Sequence, residues 1–238
     1  MIEVRNLGKR YGDLAALDGA SFRVERGDIV GFLGPNGAGK TTTLRILSTY
    51  LVPSEGSASI AGFDVVDAPE EVRRRLGYLP ENPPLYLDHT VDEFLGFCAA
   101  LRGVPRRGRK DAVARAAERC GLASVRGRLL GNLSKGFRQR VGLAQALVHD
   151  PEVVILDEPT VGLDPAQIVE IRELIRGLAP AHTVLLSSHL LSEVARTCSR
   201  IVVVHRGRVV GDDTVEGLHA GGSLEEAFLR LTSEDPAA

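Results

Sequence analysis

A glycine-rich octapeptide, GPNGAGKT at residues 34–41, follows at once on a short apolar run, DIVGFL at residues 28–33. This juncture constrains the fold more than any other feature of the chain. An apolar strand that runs into glycines and re-emerges as a helix gathers backbone N–H groups and a helix N-terminus around one point, which suits an anion. Gly34, Gly37 and Gly39 let the backbone take positive φ and approach phosphate oxygens closely. Residues 42–50 then have helical spacing, with Leu44, Ile46 and Leu47 apolar. In a G-x4-GK[ST] pattern of this kind, Lys40 reaches the β and γ phosphates of a nucleotide and the Thr41 hydroxyl ligates magnesium. Pro35, Asn36, Ala38 and Thr42 complete the cradle. Four lysines stand against 25 arginines, and two of the four fall in motifs, Lys40 here and Lys135 below.

A second apolar run, VVILDE at residues 153–158, ends in two carboxylates. Asp157, at the C-terminal end of that strand, would hold magnesium directly or through water. Glu158 is placed to polarise an attacking water as a carboxylate base. Pro159 then forces the chain out of the sheet. A lone Asp-Glu at a strand end is more often a solvated pair; its place downstream of the glycine loop gives this one weight.

The rest of the chain supplies the frame. Residues 2–4 and 20–24 alternate as strands, and residues 57–60 read as another after a Pro53–Gly56 turn. From 91 to 149 the pattern is helical and rich in Ala, Leu and Arg, the change in character falling near Pro83 and Pro84. Residues 153–156, 183–187 and 201–204 are apolar strands, with a helix over 190–198. Residues 223–231 form a helix that opens on a capping box of Ser223 and Glu226. Strands alternating with helices predict an α/β fold with a mostly parallel core sheet, covered on both faces and carrying a helical insert.

A length of 238 residues suits one such domain, or at most two small ones. The net charge of −2 supplies no global field for nucleic acid or an anionic membrane. Three cysteines, far apart and without CxxC spacing, point to free thiols and argue against a disulfide framework or zinc site. No apolar run approaches the ~20 residues of a membrane span. The chain opens as a strand, without an apolar signal region. A cytoplasmic protein is expected, and any membrane part would come from a separate chain.

Between the two motifs lies LSKGFRQR, residues 133–140, in which Ser134 is a good N-cap before an Arg/Gln-rich helix start. This segment resembles the LSGGQ signature of the nucleotide-binding subunit of ATP-binding cassette (ABC) transporters. Leu133, Ser134 and Gly136 match it, while Lys135 and Phe137 replace the usual Gly and Gln. The other family positions are present in order, from about Val4 to about Gly211. Tyr11 stands where an aromatic ring stacks on adenine. Tyr78-Leu79-Pro80-Glu81 stands at the Q-loop, with a carboxylate for the glutamine. Gly162-Leu163-Asp164-Pro165 stands at the D-loop, and His189 stands at the switch histidine that contacts the γ-phosphate.

The resemblance implies a P-loop ABC cassette over residues 1–220, with an antiparallel N-terminal β subdomain and a helical subdomain inserted at about 83–150. A C-terminal helix and tail would occupy 221–238. It implies ATP and Mg2+ as ligands, with Thr41, Glu81 and Asp157 on the metal and Lys40, Glu158 and His189 catalytic. Ser134, Lys135 and Gly136 would meet the nucleotide of a second ATPase subunit, most economically in a homodimer. The segment GYLPENPPLYLDHTVDEFLGF, residues 77–97, looks like the bacterial, exporter-like branch with a separately encoded integral membrane permease. The protein would then be peripheral on the cytoplasmic face of the membrane. An ABC ATPase without a membrane partner, acting on nucleic acid or the ribosome, is the alternative class. Its only support is the basic run RGVPRRGRK at 102–110, more simply a solvated loop, so no nucleic acid is expected.

Overall fold

The computed structural model describes residues 1–219 and 223–233; the predicted tail beyond 233 and the predicted boundary at 220–221 lie outside them. The chain opens with β1 (Ile2–Tyr11) and β2 (Leu14–Val24), followed by β3 (Ile29–Leu33), α1 (Lys40–Leu47) and β4 (Glu55–Ile60). Next come β5 (Phe63–Asp64), α2 (Pro69–Arg75) and β6 (Leu76–Leu79). Three longer helices fill the interval before the second motif: α3 (Val91–Leu101), α4 (Arg109–Arg119) and α5 (Lys135–Leu147). The remainder is β7 (Val153–Asp157), α6 (Pro165–Arg176), β8 (Thr183–Ser188), α7 (Leu191–Thr197), β9 (Arg200–His205), β10 (Arg208–Thr214), α8 (Val215–His219) and α9 (Leu224–Ser233). Among the described residues no helix is long and apolar enough to cross a membrane.

The strands form two sheets. One is antiparallel, in the order β2-β1-β4-β5; the other runs β10-β9-β3-β8-β7-β6 and is parallel except for the β10–β9 pair. The period-two alternation of β3 explains how the layers join. Ile29 and Leu33 face the core shared with α3–α6, whereas Val30 and Phe32 face the core shared with α1 and the antiparallel sheet. Phe22 and Phe32 meet across the second core with ring centroids 5.1 Å apart. Leu44, Ile46 and Leu47 bury α1 between the two sheets, so the glycine loop is clamped at both its ends. Burying side chains of this size stabilises by about 1.5–3 kcal/mol each.

Gly31, inside an otherwise apolar strand, has a packing reason. A Cβ there would lie 2.0 Å from Val194 Cγ1, because α7 crosses the sheet at this point. The expected elements are present, several of them longer than their alternating stretches. β1 and β2 extend well beyond 2–4 and 20–24 through register shifts that let irregular stretches still pair. The sequence pattern does not predict α2, β5, β6, α6, β10 or α8. β6 is an edge strand of only four residues, too short to show a period.

Candidate functional site

The parallel strands end on one edge of the sheet, and the chemistry-bearing residues collect there. Gly37 and Gly39 take φ of 79° and 103°, and Gly39 is the N-cap of α1 without any side-chain cap, so the first N–H groups of that helix are left for a ligand. A Cβ on Gly34 would lie 2.3 Å from the Val204 carbonyl oxygen, which leaves only glycine at that position. A cavity of about 400 Å³ is lined by Asn36, Gly37, Gly39, Lys40, Thr41 and Thr42, together with Glu81, Glu158 and His189. Ala16 and Val161, which carry no polar signal in sequence, complete its wall.

Lys40 is buried. Its Nζ donates to the carbonyls of Gly34 at 2.7 Å and Pro35 at 3.2 Å and stands 3.8 Å from Glu158 Oε1. Burial pulls its ammonium below the ordinary lysine range, against the opposing charges of Glu158 and Asp157. The Thr41 hydroxyl is 3.5 Å from Asp157 Oδ1. That pair of hard oxygens suits magnesium, which takes one or two protein oxygens and completes its shell with phosphates and water. Asp157 also accepts a hydrogen bond from Ser187 Oγ at 2.7 Å, and Ser187 Oγ accepts from the Glu158 backbone N–H at 3.0 Å. Glu158 sits at φ 48°, just where the chain leaves β7. His189 Nδ1 is 3.0 Å from Glu158 Oε2. An ionised carboxylate only accepts, so Nδ1 carries the proton of this contact and Nε2 is left for another partner.

Some expected participants stand elsewhere. Tyr11 ends β1, an exposed residue with Lys9 Nζ 5.4 Å from its ring centroid; it does not line the cavity. Ser134 caps α5, its Oγ accepting from the Phe137 N–H at 3.4 Å, but Ser134, Lys135 and Gly136 lie away from the cavity. Lys135 leans over its own chain: a Cβ on Gly162 would meet its Nζ at 2.0 Å. Gly136 is covered by Gln167, and Arg140 is paired with Glu170, so the start of α5 is fastened to α6.

A second cleft, of about 560 Å³, lies between α1 and α3 and shares Thr41 and Glu81 with the first cavity. Arg45, Tyr50, Tyr86, Phe97 and Leu101 line it. Tyr86 packs against Phe94 and Phe97 at centroid distances of 6.0 and 5.5 Å. Beside it, Arg73, Arg74 and Arg102 border a further cleft of about 590 Å³. Tyr86 and Phe97 belong to the segment 77–97 and Arg102 to the basic run 102–110, but nothing in the sequence gathers them, with Arg45, Tyr50, Arg73 and Arg74, around neighbouring clefts. The free cysteines are all buried, and burial pushes their thiols up to about 11 for Cys98 and about 12 for Cys120 and Cys198, which leaves them inert.

Among known proteins, the family model described as "ABC transporter" matches residues 17–161. The "Probable multidrug ABC transporter ATP-binding protein YbhF" of Escherichia coli (strain K12) is 36% identical over 240 residues, 97% of this chain and 41% of that protein. The chain thus spans about two fifths of that relative's length. The "Daunorubicin resistance ATP-binding protein DrrA3" of Streptomyces coeruleorubidus is 42% identical over 246 residues, 100% of this chain and 76% of that protein. A solved structure described as "Structure of ATP binding subunit of ABC transporter" matches with a TM-score of 0.86 at 31% identity, covering 97% of this chain and 99% of its own.

Proposed function

This chain belongs to the ABC transporter family, and we propose that it is the ATP-hydrolysing motor subunit of a transporter whose membrane-spanning part is a separate permease. The convergence of Lys40, Thr41, Glu158 and His189 on one cavity, with Asp157 Oδ1 3.5 Å from the Thr41 hydroxyl beside them, carries this reading. The backbone from Gly34 to Thr42 would cradle the phosphates. Lys40 would exchange its contacts with the Gly34 and Pro35 carbonyls for β- and γ-phosphate oxygens. Thr41 and Asp157 would hold magnesium, with Glu81 as a further carboxylate at the cavity wall. Bound there, magnesium neutralises charge that builds on the phosphates. Glu158, oriented by His189, would take the proton of the attacking water, and His189 Nε2 would face the γ-phosphate. Tyr11 has an exposed ring available to adenine.

Ser134 and Gly136 lie off the cavity, so a complete site needs the capped start of α5 from a second copy, as in a C2 homodimer. Lys135 would have to swing off Gly162 to join them. The aromatic cleft supports the permease reading, since exposed Tyr50, Tyr86, Phe97 and Leu101 surround a concavity that shares Thr41 and Glu81 with the phosphate cavity. The subunit would then sit peripherally on the cytoplasmic face. The names of the two relatives, multidrug and daunorubicin resistance, support export as the direction. The same reading divides the chain into a cassette over 1–220, with its helical subdomain at about 83–150, and a C-terminal segment over 221–238.

The test is Glu158→Gln. It should bind ATP within about threefold of wild type while turnover falls at least about 100-fold, measured by equilibrium binding and phosphate release. Turnover near the wild-type rate would remove Glu158 from the role of base.

A further inference from the structure

Ser187 is the one polar side chain between Val184 and Leu186 on one side and the strand's last residue on the other, and it is fully buried, with 0% exposure. In the parallel β7–β8 register it stands opposite Asp157. Its hydroxyl has two partners: it donates to Asp157 Oδ1 at 2.7 Å and accepts from the Glu158 N–H at 3.0 Å. The polarity of this pair of bonds is forced. An ionised carboxylate can only accept and a backbone amide can only donate, so the single hydroxyl proton must point at Asp157.

We propose that Ser187 is a positioning residue for ATP hydrolysis, fixing the metal-binding carboxylate of Asp157 and the base Glu158 relative to each other. The inference rests on the roles given above to those two residues. Three features of the geometry support it. β7 ends at Asp157, so the Glu158 N–H has left the sheet ladder and Ser187 Oγ is its acceptor. Glu158 is in the left-handed region at φ 48°, a conformation that persists in a non-glycine residue only when its surroundings hold it. The Thr41 hydroxyl, at 3.5 Å from the same Asp157 oxygen, is too distant for a firm hydrogen bond. Ser187 therefore anchors Asp157 and leaves Thr41 free to turn toward a metal. Loss of the hydroxyl would free both carboxylates together: Asp157 through a missing donor, and Glu158 through an unpaired buried amide.

The experiment compares Ser187→Ala, the near-isosteric Ser187→Cys and the hydroxyl-restoring Ser187→Thr. Turnover should fall about tenfold to a hundredfold in the Ala and Cys variants, with KM for ATP within about threefold, and recover in the Thr variant. Two readouts do not depend on turnover. The magnesium concentration for half-maximal ATP binding, measured in a Glu158→Gln background, should rise several-fold with Ser187→Ala. Amide exchange in the nucleotide-free chain at residues 157–161 should accelerate by at least about tenfold. If Ser187→Ala folds and keeps turnover, magnesium half-saturation and exchange unchanged, the proposal is overturned. It is overturned too if turnover falls only in proportion to the folded fraction, with magnesium half-saturation unmoved. Should Ser187→Ala not fold, the Cys and Thr variants decide by the same criteria. Wild-type turnover in Glu158→Gln alone would instead sink the underlying assignment of the base, whatever Ser187 does.

Discussion

His149, just past the end of α5, is held by its Nε2 to the Leu76 carbonyl at 3.1 Å, while its Nδ1 is buried without a partner. Burial, and then the nearby Arg102 guanidinium, push its pKa down to about 4. The native state thus keeps a neutral imidazole that the unfolded chain would protonate near pH 6.5. In the interval between those values the unfolded state binds more protons, so stability is fully present above about pH 6.5 and is lost as pH falls toward 4. The residue should account for a loss of about 2–3 kcal/mol across that window. Denaturant midpoints at pH 7 and pH 4.5 check this: His149→Phe should show a markedly shallower acid loss than the parent, and parallel losses would rule it out. Lys40 in the glycine-loop cavity is buried too, but there the carboxylates of Glu158 and Asp157 work against the downward pull of burial.

Elements here are positioned by close approach. α7 begins two residues after His189, and it packs on β3 so tightly that a methyl group on Gly31 would overlap Val194 Cγ1 at 2.0 Å and touch Cys198 Sγ at 3.3 Å. Gly31→Ala should therefore destabilise by about 1–3 kcal/mol, as overpacked cores do. It should also lower turnover, because the helix that shifts is the one that follows the histidine. Thermal unfolding and phosphate release on the same preparation test both, and an unchanged melting temperature would mean that α7 is not held as described. The glycine loop, the acidic strand end and the capped start of α5 were legible from sequence, since each is a local pattern in which a turn, a cap or an apolar run names its own element. Gly31 was not, because its reason lies in a helix more than 160 residues away. Ser187 was equally hidden: a serine inside an apolar strand shows no partner, and the Asp157 that it holds comes from another strand. Glu81 lines the glycine-loop cavity and the aromatic cleft alike, and that double position needs the fold.

At the scale of the whole molecule, the phosphate cavity and the start of α5 are each complete locally and lie apart. α5 presents Ser134 and a first turn without any acidic residue, fastened to α6 by Arg140–Glu170, while Lys40 is committed to its own loop and Glu158. If the two halves complete each other between copies, the defects of Lys40→Ala and Ser134→Arg should be separable. Each homodimer would have both composite sites broken. A heterodimer would pair the intact Lys40 of one chain with the intact Ser134 of the other and so keep one working site, the second site carrying both lesions. With random exchange, half the dimers in an equal mixture are mixed, so turnover should recover to at most about a quarter of wild type. Both single preparations should remain near background. ATP binding at low occupancy should survive in Ser134→Arg, because that chain's own cradle is untouched, and should be lost in Lys40→Ala. Normal hydrolysis by Ser134→Arg alone would mean that each cavity works within one chain. No recovery on mixing, with heterodimers demonstrated by differently tagged chains, would mean that turnover requires both composite sites at once. The two outcomes separate a site shared between copies from one whose copies must also act together.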